Sequence, residues 1–403
     1  MKIGIVTTWF ERGAAYVSRQ FKQILEKEHD VYIYARGGEE YAIGDPNWDG
    51  DFVWWGKRKD SFFFSGTFID KKDFIKWIHA KGIELIIFNE QQWFMPLIWC
   101  KELKIKTVAY IDYYTNATVP FFNIYDALIC NTKRHIEAFE DHPHAYYVPW
   151  GTDVNLFKPC SNNGLVNGDV PTIFHSAGMS GYRKGTDQLI KAYLKSQQKC
   201  KLVLHTQRPL ESQFPELIVP MNTLQREGKL ELITGTVTAP GLYYKGDIYI
   251  YPSRLEGIGL TIAEAISSGL VCVVPDNGPM NEFVDGSCGF VIPIKKYFCR
   301  EDGYYWPMCE VDTDELAAII DKCSDNIEMV KSMKLQARNY ALDNLSQDTN
   351  FKMLLDIVVE TCFSPLDACL RGKIIKFCTS GLKRFDKFLA SGLKIGKVVK
   401  CKR

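Results

Sequence analysis

No Cys-x-x-Cys pair occurs in the 403 residues, although the chain holds 13 cysteines. Their number is odd and they are scattered. In a chain of this length that argues against a disulfide framework and against a structural zinc site. Small buried hydrophobes in a reducing cytoplasm are the expectation. No apolar run approaches the ~18 residues that a membrane-spanning helix needs; the longest, such as Ile83 to Phe88, reads as a buried strand. A secretory signal is not expected either, because the apolar start from Met1 to Phe10 is short, meets Glu11 and Arg12 at once and precedes no small-residue cleavage site. Net charge is nearly absent. Lys+Arg is 49 against Asp+Glu 48, for a formal +1, which excludes a bulk nucleic-acid binder. Histidines are few, seven, and none has metal-ligand spacing; His142 and His144 flank Pro143 in an expected solvated loop. There is no short internal repeat, no low-complexity tract and no Ser/His/Asp order that argues for a triad.

What is present is an ordinary globular chain. Its hydrophobic fraction of 46% and charged fraction of 24% exclude global disorder. At roughly 100–200 residues per domain the length implies two domains, or at most three. The neutral balance hides a split. From Ser364 to Arg403 there are 11 Lys/Arg against Asp367 and Asp386, a charge of +9; the remainder holds 38 basic and 46 acidic residues, a charge of −8.

Short apolar segments alternate with helical ones from the start. Strands are expected at Lys2 to Thr7, Asp30 to Tyr34, Leu85 to Asn89, Thr107 to Tyr110, Ala127 to Cys130 and Tyr146 to Val148. Helices are expected over Ala14 to Lys27, Asp73 to Lys81, Met95 to Leu103 and Lys133 to Glu140. Such alternation means a parallel sheet covered on both faces. Lys158 to Val170, rich in Asn, Gly, Ser and Pro, reads as a linker. The pattern then restarts with strands Thr172 to Ser176, Lys201 to His205, Leu230 to Thr234, Ile248 to Tyr251 and Val271 to Pro275. The helices of this half are Thr186 to Ser196, a stretch around Pro220 to Glu227, and Leu260 to Ser268. The expected fold class is α/β with two Rossmann-like domains, over 1–160 and 166–345. A helix over 346–363 and a basic amphipathic tail over 364–403 follow. Two such domains would take a ligand at the carboxyl ends of the strands, in the cleft between them.

The stretch Tyr251 to Ala265, YPSRLEGIGLTIAEA, carries the chemistry. Glu256 stands in the turn after a strand, and Glu264 stands one to two turns into the next helix, with seven residues between them. Gly257 and Gly259 remove side chains where a ligand must approach the backbone. With Ile258 between them, they lead into the free N–H groups near Leu260 and Thr261, which suit a phosphate. Carboxylates before and after such a site can hold hydroxyl groups on either side of a diphosphate. The plainer reading is a strand–turn–helix with two solvated acids. The loop Gly178-Met-Ser-Gly-Tyr-Arg-Lys-Gly185 offers Arg183 and Lys184 as cations before a helix start. Arg has a planar fork for phosphate oxygens and Lys a compact charge.

These motifs resemble retaining glycosyltransferases of the GT-B fold, in the large group called family 4. The stretch from Glu256 to Glu264 looks like their Glu-x7-Glu signature. Pro149 to Pro159 resembles the entry to their linker, Gly178 to Gly185 their phosphate loop, and Asn277 to Glu282 the turn after the next strand. The resemblance assigns the donor sugar's hydroxyls to Glu256 and the nucleotide ribose to Glu264, and it places Arg183, Lys184 and Gly178 at the diphosphate. It implies a UDP- or GDP-linked nucleotide-sugar as donor substrate, retention at the anomeric carbon, and no bound metal or other cofactor. Two positions depart from the pattern. Met179 stands where the family usually has Arg, and Asp112, in Ala109-Tyr-Ile-Asp-Tyr-Tyr114, stands where it often has His. Asp112 could accept hydrogen bonds from sugar hydroxyls, or simply cap its turn. Gly13, with Ala14, matches a small-residue turn that admits acceptor or donor phosphate. Asn89 to Trp93, with Glu90, is expected on the acceptor side.

The Asp-x-Asp pairs Asp49/Asp51 and Asp312/Asp314 follow no convincing apolar strand, so they are set aside as metal sites. In the tail, Ile375, Cys378, Leu382, Phe385 and Leu389 follow 3- and 4-residue steps, with Lys376, Lys383, Arg384 and Lys387 largely off that stripe. This is the pattern of an anchor on an anionic membrane surface, or of a helix docked on the acidic body. The expectation is a cytoplasmic, peripheral glycosyltransferase acting on a glycan or lipid-linked acceptor in cell-surface polysaccharide synthesis. A non-catalytic nucleotide-sugar-binding protein and a sugar-nucleotide epimerase are the alternatives.

Overall fold

The computed structural model describes residues 1–36, 41–57, 67–160 and 164–390, with side chains to residue 380. The chain forms two compact units: Met1–Ile129 with Glu140–Tyr146 and Leu354–Arg403, and Cys130–Phe139 with Tyr147–Met353.

Seven strands build the first sheet: β1 (Lys2–Thr7), β2 (Asp30–Ala35), β3 (Val53–Trp55), β4 (Leu85–Asn89), β5 (Lys106–Tyr110), β6 (Ala127–Cys130) and β7 (Ala145–Tyr147). Their order is β3-β2-β1-β4-β5-β6-β7, and the ladders from β3 to β6 are parallel. The central strands read as apolar runs because helices cover both faces; β4 is buried at every residue, and β1 at all but its first. Ile5 pairs with Ile33 on one side and Ile87 on the other, which fixes the register. The order reverses between β1 and β4. Loops leaving those two strands therefore diverge at their carboxyl ends, the usual place for a ligand in an open α/β sheet.

The second sheet repeats the plan with β8 (Thr172–Ser176), β9 (Lys201–Thr206), β10 (Leu230–Thr234), β11 (Ile248–Ile250), β12 (Val271–Pro275) and β13 (Gly289–Ile292). All its ladders are parallel, in the order β10-β9-β8-β11-β12-β13. Here the reversal falls between β8 and β11, the two strands that feed the Gly178–Gly185 loop and the Glu256 turn. The core of this unit joins Ile173, Leu189, Leu204, Ile250 and Val273 with Leu316 and Ile320 of a late helix. Both expected Rossmann-like sheets are thus present.

Some elements were not legible in the pattern. Strand β3 has only three residues, too few for a period to show. A two-stranded antiparallel hairpin, β14 (Ile294–Phe298) and β15 (Met308–Val311), leaves the second sheet after β13. Its outer residues are charged or aromatic and largely exposed, so no apolar alternation marks it. Helices Thr313–Asp325 and Ile327–Asn344 follow.

The end of the chain is tied to the first unit by a buried carboxylate. Asp126 is 2% exposed. It accepts from Lys101 Nζ at 2.6 Å, the backbone N–H of Thr107 at 2.8 Å, and both the N–H and Oγ of Ser364 at 2.7 Å. Beyond it runs the helix Ala368–Ala390. Ile374 of this helix is buried, Phe377 packs on Phe121 at 5.1 Å, and Arg371 pairs with Glu102 at 3.0 Å. Up to residue 380 the helix is therefore docked on the body of its unit. Ile375 and Cys378 of the expected stripe are partly buried there, while the side chains of Leu382, Phe385 and Leu389 lie outside the described residues. No helix among the described residues is long and apolar enough to cross a membrane.

Removing one partner of a buried ion pair strands the other charge. We expect Asp126→Ala to cost about 3–5 kcal/mol, read as a lower urea midpoint. The double variant Asp126→Leu/Lys101→Met should recover much of that loss, because it leaves no buried charge.

Candidate active site

The loop after β8 turns tightly. Lys184 N donates to Ser180 O, Gly185 N to Tyr182 O and Thr186 N to Gly181 O, at 2.9–3.1 Å. The turn ends in Gly185, left-handed at φ +70°, which begins the helix Thr186–Lys195. A Cβ at Gly185 would stand 1.9 Å from the carbonyl oxygen of Pro252. Glycine is required there by both the dihedral and the space. The absent side chain lets the cation loop lie directly on the turn after β11, and Arg254 N and Ser253 Oγ both donate to Arg183 O, at 2.8 and 3.0 Å.

That contact assembles a buried charge cluster. Glu256 is 6% exposed. Its Oε1 accepts from Lys184 Nζ at 2.7 Å, Ser253 Oγ at 2.6 Å and the Tyr251 hydroxyl at 3.0 Å. Its Oε2 meets Arg183 Nη1 more loosely, at 3.5 Å. Lys184 Nζ also donates to the Tyr251 hydroxyl and lies 5.0 Å from the centre of that ring. Burial alone would raise the Glu256 pKa. The charges of Lys184 and Arg183 and the hydrogen bonds from Lys184 and Ser253 outweigh it and draw the carboxyl down to about 2. Burial, and then repulsion from Arg183, lower the Lys184 ammonium to about 8 against the pull of Glu256. At neutral pH the pair is therefore charged. A buried pair of this kind is a poor source of net stability, and its place at a strand end marks it as a candidate site.

Glu264 sits on the helix Leu260–Ser267, which opens at Gly259, left-handed at φ +97°. Its Oε2 accepts from the Tyr243 hydroxyl at 2.5 Å. Burial raises its pKa to about 7, against the opposing effects of that hydrogen bond and of Lys184. Tyr243, Tyr249 and Tyr251 form a ladder, with Tyr249 stacked on Tyr251 at 5.3 Å and edge-on to Tyr243 at 5.8 Å. The buried hydroxyl of Tyr249 interacts with the side chain of Thr261 on the helix of Glu264.

Glu256, Lys184 and Arg183, 72 or more residues apart across the two segments, are thus brought together. Gly257, Ile258, Gly259, Leu260 and Thr261 connect Glu256 to the helix of Glu264. Gly178 lies at the far end of the cation loop with φ +55°, and Met179 beside it is 56% exposed. Gly13 begins the helix Gly13–Leu25 and Asp112 follows β5, partly buried; both belong to the first unit. In that unit Asn89 Nδ2 holds Ala14 O and Ser18 Oγ, at 2.8 and 2.7 Å, and Gln91 Nε2 holds Thr67 O at 2.8 Å. Both are framework residues, whereas Glu90 is partly exposed at φ +53°.

Several side chains escaped the sequence reading. Tyr251 and Ser253 sit inside the motif but look like ordinary turn residues. Tyr243, which caps Glu264, lies 21 residues upstream with no spacing to flag it. His142, expected to be solvated, is buried: its Nε2 lies 3.3 Å from Tyr125 O and its Nδ1 accepts from His144 N at 3.2 Å. Glu282 caps a neighbouring helix, accepting from Lys133 N at 2.7 Å and Arg134 N at 3.4 Å. The set-aside aspartates are used locally: Asp49 accepts from Trp55 Nε1 at 2.9 Å, and Asp312 caps the helix Thr313–Asp325.

The two loop glycines separate space from dihedral. Gly178 has nothing within 4 Å of an added Cβ, so Gly178→Ala should cost only the left-handed penalty, about 1–2 kcal/mol. Gly185→Ala meets backbone and should cost more than about 3 kcal/mol. Thermal or urea unfolding of the two variants checks the order.

Residues 170–299 match the family model described as glycosyl transferases group 1. Among curated proteins the chain is 26% identical over 189 residues to the lipopolysaccharide core biosynthesis mannosyltransferase LpcC of Rhizobium leguminosarum bv. viciae. That match covers 41% of this chain and 50% of the relative, so it spans about half the relative's length. Among solved structures, Anabaena HepE in complex with UDP and glucose superposes with a TM-score of 0.67 at 18% identity, over 89% of this chain and 99% of that one. WaaG, a glycosyltransferase involved in lipopolysaccharide biosynthesis, gives 0.62 at 14% identity, over 89% and 100%. At such identities the superpositions speak for the fold. The chain thus has the two Rossmann-like sheets of a GT-B fold and, over 170–299, the sequence pattern of glycosyl transferases group 1.

Proposed function

We propose that this chain is a glycosyltransferase that moves a sugar from a nucleotide-sugar donor to a glycan or lipid-linked acceptor, with retention. The observation that carries the proposal is the largely buried Lys184–Glu256 pair, with the half-exposed Arg183 beside it, at the carboxyl end of β11, where the strand order reverses. A donor diphosphate offers Lys184 and Arg183 better partners than one shared carboxylate, since each cation gains phosphate oxygens. Glu256 then turns to the sugar. Its Oε2, held only loosely by Arg183, is the oxygen free to accept a hydroxyl, while Ser253 and Tyr251 keep Oε1 in place. Glu264 takes the ribose hydroxyls, joined by Tyr243. Departure of the nucleotide develops charge on the phosphate, and donors already aimed at it stabilise that charge. No side-chain nucleophile is assigned; the leaving phosphate receives the acceptor's proton.

HepE is crystallised with UDP and with UDP-glucose, and the Rhizobium relative is a mannosyltransferase. These support a UDP- or GDP-linked donor and an acceptor in cell-surface polysaccharide synthesis. We assign the anchor on an anionic membrane surface to residues 381–403, because the part of the helix up to residue 380 is docked on the body of its unit. That segment carries eight Lys/Arg and one acid, Asp386, a charge of +7.

Each charged hydrogen bond at the site is worth about 1.5–3 kcal/mol, or roughly 10- to 100-fold. Lys184→Ala should weaken binding of a nucleoside diphosphate by that factor and leave the nucleoside unchanged. In the parent protein, diphosphate affinity should fall as the pH rises through about 8, where the free Lys184 loses its proton, and the variant should lack this dependence. Glu256→Ala should lose mainly turnover. Calorimetry and donor-turnover assays check these outcomes, and unchanged turnover in folded Glu256→Ala would remove the site from consideration.

A chain ending at Ser380 should stay in the supernatant with anionic vesicles, while the full chain sediments, less so at high salt. Each basic residue near such a surface contributes about 1 kcal/mol, within a Debye length.

A further inference from the structure

Arg254 stands two residues before Glu256, yet its side chain is 3% exposed and lies away from that carboxylate's contacts. Its guanidinium grips Asp187 with two parallel bonds, Nη1 to Oδ1 at 2.7 Å and Nη2 to Oδ2 at 2.9 Å. Nη1 also donates to Tyr182 O at 2.6 Å, and the guanidinium carbon lies 4.1 Å from the centre of the Tyr182 ring. Nη2 is 3.7 Å from Glu310 of β15. The residue's backbone repeats the pattern. Its N–H donates to Arg183 O at 2.8 Å, and its carbonyl accepts from Cys309 N at 2.9 Å.

One residue thus touches four segments: the Glu256 turn that contains it, the cation loop, the first turn of the helix Thr186–Lys195, and the hairpin β14–β15. Two of these carry the charges of the proposed donor site. Stability is a weak reason for such a pair, because a buried ion pair recovers little beyond its desolvation cost. Geometry is a better one. A planar fork fixes both distance and orientation, which a lysine on the same stem cannot do. Tyr182, whose carbonyl and ring the guanidinium holds, immediately precedes Arg183 and Lys184.

We propose that Arg254, gripped by Asp187, is a positioning residue that fixes Lys184 and Arg183 at their working distance from Glu256. The proposal rests on the reading of this cluster as the diphosphate-sugar site. Arg254 touches no ligand in this scheme and acts only through the cation loop. Loss of the grip should therefore harm diphosphate binding and spare the nucleoside, whose ribose is held by Glu264 on a helix Arg254 does not touch.

The full chain, Arg254→Lys, the near-isosteric Asp187→Asn and the double variant are compared by calorimetry with UDP, uridine, GDP and guanosine. Each single variant should weaken the diphosphate that the parent binds by about tenfold or more, since a loop displaced by about an ångström carries a cost of that order. Nucleoside affinity should hold, and the double variant should be no worse than either single, because the two residues act as one pair. In parallel, the labelling rate of Lys184 by an amine-acylating reagent is followed against pH without nucleotide. Its profile should be displaced in the Arg254 and Asp187 variants relative to the parent. Unchanged diphosphate affinity in a folded variant, or equal losses for diphosphate and nucleoside, overturns the proposal. If the parent binds no diphosphate, the donor-site reading fails, and an undisplaced Lys184 profile then overturns the positioning role by itself. Should Arg254→Lys not fold, Asp187→Asn carries both measurements.

Discussion

The contact between Gly185 and the Pro252 carbonyl governs the second unit's site. Two loops that leave neighbouring strands must meet at backbone distance, because Lys184 from one and Glu256 from the other share a largely buried place. A methyl group between them would separate Lys184 from Glu256. With the loops in contact, Ser253, Tyr251 and both cations converge on one carboxyl group and hold it ionised in a setting that would otherwise favour the neutral acid. Glu264, one to two turns further along, has no cation at bonding distance among the described residues, and burial moves it the other way. Two glutamates of one motif thus differ in charge behaviour because of their neighbours.

Topology explains why this contact falls where it does. In both sheets the strand order runs outward in opposite directions from a central pair, β1 and β4 in one and β8 and β11 in the other. Loops leaving such a pair are not occupied in crossing to the same side, so their side chains can face one another. The first unit fills its own reversal with a buried arginine. Arg36 is 3% exposed and donates to the carbonyls of Asn89 and Glu90, at 3.0 and 2.9 Å, and to Thr8 Oγ1 at 3.0 Å. There the charged group braces the loops; in the second unit the charges of Lys184 and Arg183 meet the carboxylate of Glu256.

The hairpin β14–β15 shows how an addition can be joined to a shared plan. It follows β13, and its second strand lies beyond the segment that matches the family model. Cys309 and Glu310 bring it to Arg254, and Val311 N donates to Gln188 Oε1 at 2.8 Å, while Gln188 Nε2 holds Pro252 O at 3.0 Å. The added element is fastened to the Glu256 turn and the cation-loop helix through residues whose types alone suggest nothing.

By itself the sequence determined most strands of both sheets, because continuous apolar runs such as Leu85 to Asn89 and Val271 to Pro275 allow only burial on both faces. It also determined the candidate residues Glu256, Lys184, Arg183 and Glu264, since acids, cations and glycines around a strand end mark themselves by type and spacing. Strand β3, strand β13 and the exposed hairpin carry no such run or period and stayed hidden. Only the tertiary structure decided which charges meet. Lys184 with Glu256, Arg254 with Asp187, and Tyr243 with Glu264 are separated by 72, 67 and 21 residues. Partners at those separations are chosen by strand order and loop contact, quantities that no local pattern of residues encodes.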